Sequence, residues 1–222
     1  MVAMEMGHGC DHDGREHLFE AIARDVRAQG YSINHSALPP ELGEALWLHV
    51  QGMREGQFNR AGIGRQNGFM LNTFVRSDEI CWITGDSEAG SAWLAWTADL
   101  QRFLNRRLFL GLFSFESHFA HYASGDYYKR HLDAFRGESN RILTIVVYLN
   151  PGWAPDNGGE LLLYREDSDL DGLRVTPNMG TVVVFLSEEF PHEVLAANRD
   201  RYSISGWFRL NTTTSLQTDP PG

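Results

Sequence analysis

The sequence predicts an α+β, mainly β fold in which an antiparallel sandwich or barrel is buttressed by the helices that precede it. Apolar residues recur at helical spacing through the first half, and after Leu108 the pattern changes to about eight short strands divided by turn signals. The run Thr181-Val182-Val183-Val184-Phe185-Leu186 has no polar alternation, so it reads as a strand buried on both faces. At 222 residues the chain suits one well-packed domain. We assign a disordered arm to residues 1–14, helical support to 15–107, a strand-rich core to 108–210 and a disordered tail to 211–222.

Taken in order, the arm carries His8, Cys10 and His12, with His17 just beyond, but its Gly and acidic content favours a solvated segment over a metal-binding tract. Over residues 15–29, Leu18, Ile22 and Val26 recur every fourth position, and Gly30 is placed to stop the helix. A short strand spans 31–33. Pro39 and Pro40 open a second helix with a stripe of Leu42, Leu46, Val50 and Met53. Between Arg54 and Arg76 the periodicity disappears while Gly, Asn and Arg accumulate, predicting a long functional loop or an irregular hairpin. Residues 80–84 form an apolar strand, and 91–107 a third helix with Arg106 and Arg107 suited to its C-terminal end. Later strands are expected over 111–122, 127–133, 142–149, 160–164, 173–176, 181–186 and 202–210.

The net charge of −10 argues against a general affinity for nucleic acid or anionic membranes. Two cysteines make no disulfide framework, no apolar run approaches the roughly 20 residues that span a bilayer, and residues 1–14 lack a secretory pattern. A reducing cytoplasm is the expected location.

His131 and Asp133 are two residues apart, so on an extended strand both side chains leave one face with Cα atoms about 6.5 Å apart. Of the nine histidines, only His131 is followed at the second position by an acid, and only His192 lies downstream of it. A site of two His and one carboxylate can therefore be completed within the strand-rich half by His131, Asp133 and His192. Such a facial triad leaves three coordination positions open, as in non-haem Fe(II) oxygenases. On the last strand Arg201, Ser203, Ser205, Trp207 and Arg209 share one face. A cation and a hydroxyl facing into the barrel suit a dicarboxylate, with a surface ion pair as the other reading of Arg201.

The pattern Tyr122, Gly125, His131-x-Asp133, Arg141 to Asn150, Gly158-Gly159, Pro191-His192 and Arg201-Tyr202-Ser203-Ile204-Ser205-Gly206-Trp207 resembles the Fe(II)- and 2-oxoglutarate-dependent prolyl hydroxylases. With Arg76-Ser77-Asp78-Glu79-Ile80-Cys81-Trp82-Ile83, it is most similar to their oxygen-sensing group; Ser205 stands where those relatives have Thr. The resemblance implies a double-stranded β-helix, a jelly-roll of cupin-like form. It implies an enzyme that decarboxylates 2-oxoglutarate to succinate and CO2 while hydroxylating a prolyl residue, using Fe(II), O2 and ascorbate. His131, Asp133 and His192 would hold the metal. Arg201, Tyr148 and Ser205 would hold 2-oxoglutarate, with Thr144, Leu161, Tyr122 and Trp207 lining its pocket. Arg76, Asp78, Trp82 and Arg141 would meet the substrate. A protein loop is the expected substrate, elongation factor Tu the candidate, and a monomer the expected state. Free proline or another small molecule is the enzymatic alternative, and a metal-binding β-helix without turnover the non-enzymatic one.

Overall fold

The computed structural model describes residues 9–53, 56–61, 75–134 and 140–211. The first half contributes helices α1 (Gly9–Gln29), α2 (Pro40–Gln51) and α3 (Glu88–Leu108), with strands β1 (Tyr31–Asn34), β2 (Asn59–Arg60) and β3 (Glu79–Trp82) between them. The second half contributes β4 (Ser114–Tyr122), β5 (Tyr128–His131), β6 (Arg141–Tyr148), β7 (Leu161–Leu163), β8 (Leu173–Val175), β9 (Val182–Leu186), β10 (His192–Val194) and β11 (Arg201–Arg209).

Among the described residues every strand pairing is antiparallel. One sheet has the order β1-β9-β6-β11-β4-β3-β2, and a smaller one the order β5-β10-β7-β8. Strand alternation divides the apolar residues of the larger sheet between two cores. Leu143, Ile145 and Val147 of β6, Val182 and Val184 of β9, and Ile204 and Phe208 of β11 pack toward the helices, around Trp93, Leu100 and Leu104 of α3. Val146 and Tyr148, Val183 and Phe185, and Ala120 and Tyr122 join Leu161 and Leu163 of the smaller sheet in a second cluster. Both faces of β9 are buried, as its unbroken apolar run predicts; Val182 to Phe185 have no exposed surface.

Several boundaries differ from the sequence-based expectation. Helix α1 starts at Gly9, so residues 9–14 are helical rather than part of an arm. Helix α3 starts at Glu88 instead of residue 91, because the Ser87 side chain accepts from the Gly90 N–H at 3.0 Å. Residues 59–60 form the short antiparallel partner of β3, which selects the hairpin reading for that part of the predicted loop. Residues 54–55 and 62–74 of the loop, 1–8 of the arm and 212–222 of the tail lie outside the described residues. Among the described residues no helix is long and apolar enough to cross a membrane.

Candidate active site

His131 closes β5 and His192 opens β10, and these two residues are direct partners across the smaller sheet. Asp133 does not share an extended strand with His131 as expected. Strand β5 ends at His131, and Asp133 sits in the bend that follows. The bend still brings it to the same centre, where ligand atoms of His131, Asp133 and His192 all lie within 4.8 Å of one another. The Nε2 atoms of His131 and His192 are each 3.6 Å from an oxygen of Asp133, one on Oδ1 and the other on Oδ2.

Backbone carbonyls set the imidazole tautomers. His131 Nδ1 lies 2.8 Å from the Lys129 carbonyl and His192 Nδ1 lies 3.0 Å from that of Phe190. A carbonyl only accepts, so each Nδ1 carries a hydrogen, and in the neutral ring the Nε2 lone pair then faces the centre. Burial pushes the His192 pKa down to about 4, with the neighbouring His131 acting in the same direction against Asp133. The imidazole is thus neutral, as a metal ligand must be. Burial opposes the charge on Asp133, yet His192, His131 and Arg141 together hold its carboxyl well below the usual carboxylate range. Two imidazole nitrogens and one carboxylate form a donor set that fits a divalent first-row metal.

The predicted face of β11 is found as expected. Arg201 is 1% exposed, its Nε donating to the Gly159 carbonyl at 2.8 Å and its Nη1 to Ser203 Oγ at 3.3 Å. Its guanidinium carbon is 4.8 Å from the Tyr122 ring centre and 5.0 Å from that of Tyr148. Among the described residues no carboxylate pairs with it, so the surface ion-pair reading of Arg201 does not hold. Beside it the buried Tyr148 hydroxyl has no hydrogen-bond partner among the described residues. Burial pushes that phenol up to about 12 against the pull of Arg201, leaving it a donor. A buried cation served only by neutral acceptors, next to an idle donor, fits an anionic ligand. Leu161 is buried in the same interior cluster as Tyr122 and Tyr148. Ser205 lies on the Arg201 face, opposite His118 on β4 and Val146 on β6.

Several of the expected site residues make further contacts. Thr144 also holds the candidate metal carboxylate: its Oγ1 donates to Asp133 Oδ2 at 2.7 Å and meets Ser187 Oγ at 3.0 Å. Arg76 and Asp78 are engaged with each other through Nε–Oδ1 and Nη2–Oδ2 bonds of 2.7 and 2.6 Å, because the Asp78 side chain is wholly buried and requires a partner. Arg141 reaches Glu116 at 2.8 Å and covers the ring of buried Trp207 at 3.7 Å. Trp82 is 51% exposed and meets His118 edge-on. Ser187, Ser203, Glu116 and His118 were not singled out as site residues. Period-two alternation from Arg201 reaches Ser203, whereas no local pattern reaches Ser187 or Glu116.

Gly159 is required where it stands. Its φ is +70°, and an added Cβ would lie 2.8 Å from the Ala197 Cβ and 3.2 Å from the Arg201 Cδ. Gly159→Ala is expected to lower stability by about 1–2 kcal/mol through the left-handed backbone alone. It should weaken anion binding further by displacing Arg201. Urea unfolding beside an anion titration separates the two effects.

Residues 117–209 match the 2OG-Fe(II) oxygenase superfamily. A crystal structure of a Pseudomonas putida prolyl-4-hydroxylase is 39% identical and superposes with a TM-score of 0.76 over 86% of this chain and 98% of that one. A Trichoplax adhaerens prolyl hydroxylase, solved with a hypoxia inducible factor oxygen degradation domain peptide, is 25% identical with a TM-score of 0.78, covering 92% of this chain and 94% of its own. Egl nine homolog 1 of Homo sapiens is 25% identical over 199 residues, 85% of this chain and 46% of that protein. The chain spans about half the length of the curated relatives it matches.

Proposed function

The chain belongs to the prolyl hydroxylases of the 2OG-Fe(II) oxygenase superfamily, and from that membership we propose that it hydroxylates a prolyl residue of a protein, with Fe(II), 2-oxoglutarate and O2. The observation that carries the reading is Arg201, buried on the interior face with no carboxylate partner among the described residues, beside the unpartnered Tyr148 hydroxyl and on the same barrel interior as the His131, Asp133, His192 cluster. A metal-binding module without turnover has no use for a buried anion anchor.

When bound, Fe(II) supplies the oxidative chemistry that couples decarboxylation of 2-oxoglutarate to insertion of oxygen into a C–H bond. The protein supplies position. His131, Asp133 and His192 would hold the metal through Nε2, a carboxylate oxygen and Nε2, with Thr144 and Ser187 fixing the carboxylate. Arg201 and Tyr148 would bind the distal carboxylate of 2-oxoglutarate, with Ser205 on the same face. Tyr122, Leu161 and Val146 exclude water from the interior. Exposed Trp82, with Arg141 lying over Trp207, would offer aromatic and cationic surface to a protein chain. A protein substrate is supported by the peptide bound to the Trichoplax relative. We retain a cytoplasmic location and elongation factor Tu as the candidate. Mass spectrometry of that factor, and of the proteome, from cells with and without the enzyme tests this. A proline carrying one added oxygen only in the presence of the enzyme is the expected result; its absence from every protein, with free proline hydroxylated instead, points to the small-molecule reading.

A further inference from the structure

Tyr128 and His131 are three residues apart, a spacing that puts side chains on opposite faces of a regular strand. Their rings nevertheless stack, with centroids 3.6 Å apart and planes inclined by 13°. The register explains it. Strand β10 pairs His192 with His131 and Val194 with Tyr128, so two steps on β10 span three on β5, and the extra residue is a β-bulge that turns Tyr128 onto the face of His131. On its far side the Tyr128 ring carries the Arg76 guanidinium, 4.3 Å from its centre, and Arg76 is locked by its two bonds to buried Asp78. The backbone around this stack is paired as well: Lys129 N donates to Val75 O at 2.8 Å, Ser77 N to Tyr127 O at 3.2 Å, and Tyr127 N to Ser77 Oγ at 3.1 Å.

We propose that Tyr128 is a positioning residue for the metal ligand His131, clamped from outside by the Arg76–Asp78 pair. The inference rests on the metal reading given above. The Lys129 carbonyl fixes one edge of the His131 imidazole but leaves it free to swing about that hydrogen bond, and the centre needs Nε2 held in one direction. The flat face of Tyr128 removes that freedom. Its contribution comes from the ring rather than the hydroxyl, and the clamp ties the segment entering β3 to the ligand.

Co(II) titration followed by its visible absorption reads ligand geometry without turnover. Tyr128→Leu should bind Co(II) about 10-fold or more weakly, the range for loss of a group that orients a ligand, with an altered band shape. Tyr128→Phe should bind within about twofold of wild type, since it keeps the ring. Arg76→Lys keeps a cation for Asp78 but withdraws the planar group from Tyr128, so it should shift affinity in the same direction as Tyr128→Leu, and it serves if that variant does not fold. Wild-type affinity and spectrum in a folded Tyr128→Leu protein, or equal losses in Tyr128→Phe and Tyr128→Leu, would overturn the proposal while leaving the metal site standing. Failure of wild type itself to bind Co(II) would instead remove the metal reading.

Discussion

Replacement of Asp133 by Ala is expected to abolish 2-oxoglutarate turnover and to weaken divalent metal binding by more than about 100-fold, beyond the range for groups that merely orient a ligand. Asp133 is the one anionic donor of the cluster, and its two oxygens face both imidazoles. The fold should survive, because Asp133 lies in a bend outside the paired strands and both apolar clusters are built without it. His192→Ala should likewise abolish turnover. Circular dichroism paired with a metal titration checks this: wild-type metal affinity in a folded Asp133→Ala protein would show that the cluster is not the metal site.

Arg201→Ala should raise the 2-oxoglutarate requirement steeply. A buried carboxylate that loses a charged partner costs about 2–5 kcal/mol, which at about 1.4 kcal/mol per tenfold is at least about 30-fold in affinity. Metal affinity without 2-oxoglutarate should change little, since none of the hydrogen bonds of Arg201 reaches His131, Asp133 or His192. Parallel titrations with metal alone and with metal plus 2-oxoglutarate decide it; equal losses in both would make Arg201 a support of the fold.

The parts of the site that follow regular strand geometry were legible in the residues. Strand β11 pairs with β4 in unbroken register from Arg201 to Arg209, so period-two alternation correctly placed Arg201, Ser205 and Trp207 on the interior face. The grouping of His131, Asp133 and His192 was legible by elimination among the histidines, although its assumed geometry was wrong, because strand β5 stops before Asp133. Strand β10, at three residues, is too short to leave a periodic signal, and no strand was expected there. Tyr128 was hidden by its odd spacing, which holds for a regular strand and fails at a bulge. The pairing of Arg76 with Asp78 could not be anticipated either: its cause is the complete burial of the Asp78 side chain, a property of tertiary packing that no local pattern encodes.

The most direct test of the whole account is succinate release from 2-oxoglutarate by the purified protein in air, with Fe(II) present or chelated. We expect release that requires Fe(II), that is lost in Asp133→Ala, and that returns in Arg201→Ala only at much higher 2-oxoglutarate. Succinate release that persists when Fe(II) is chelated, or that is unchanged in both variants, would contradict it.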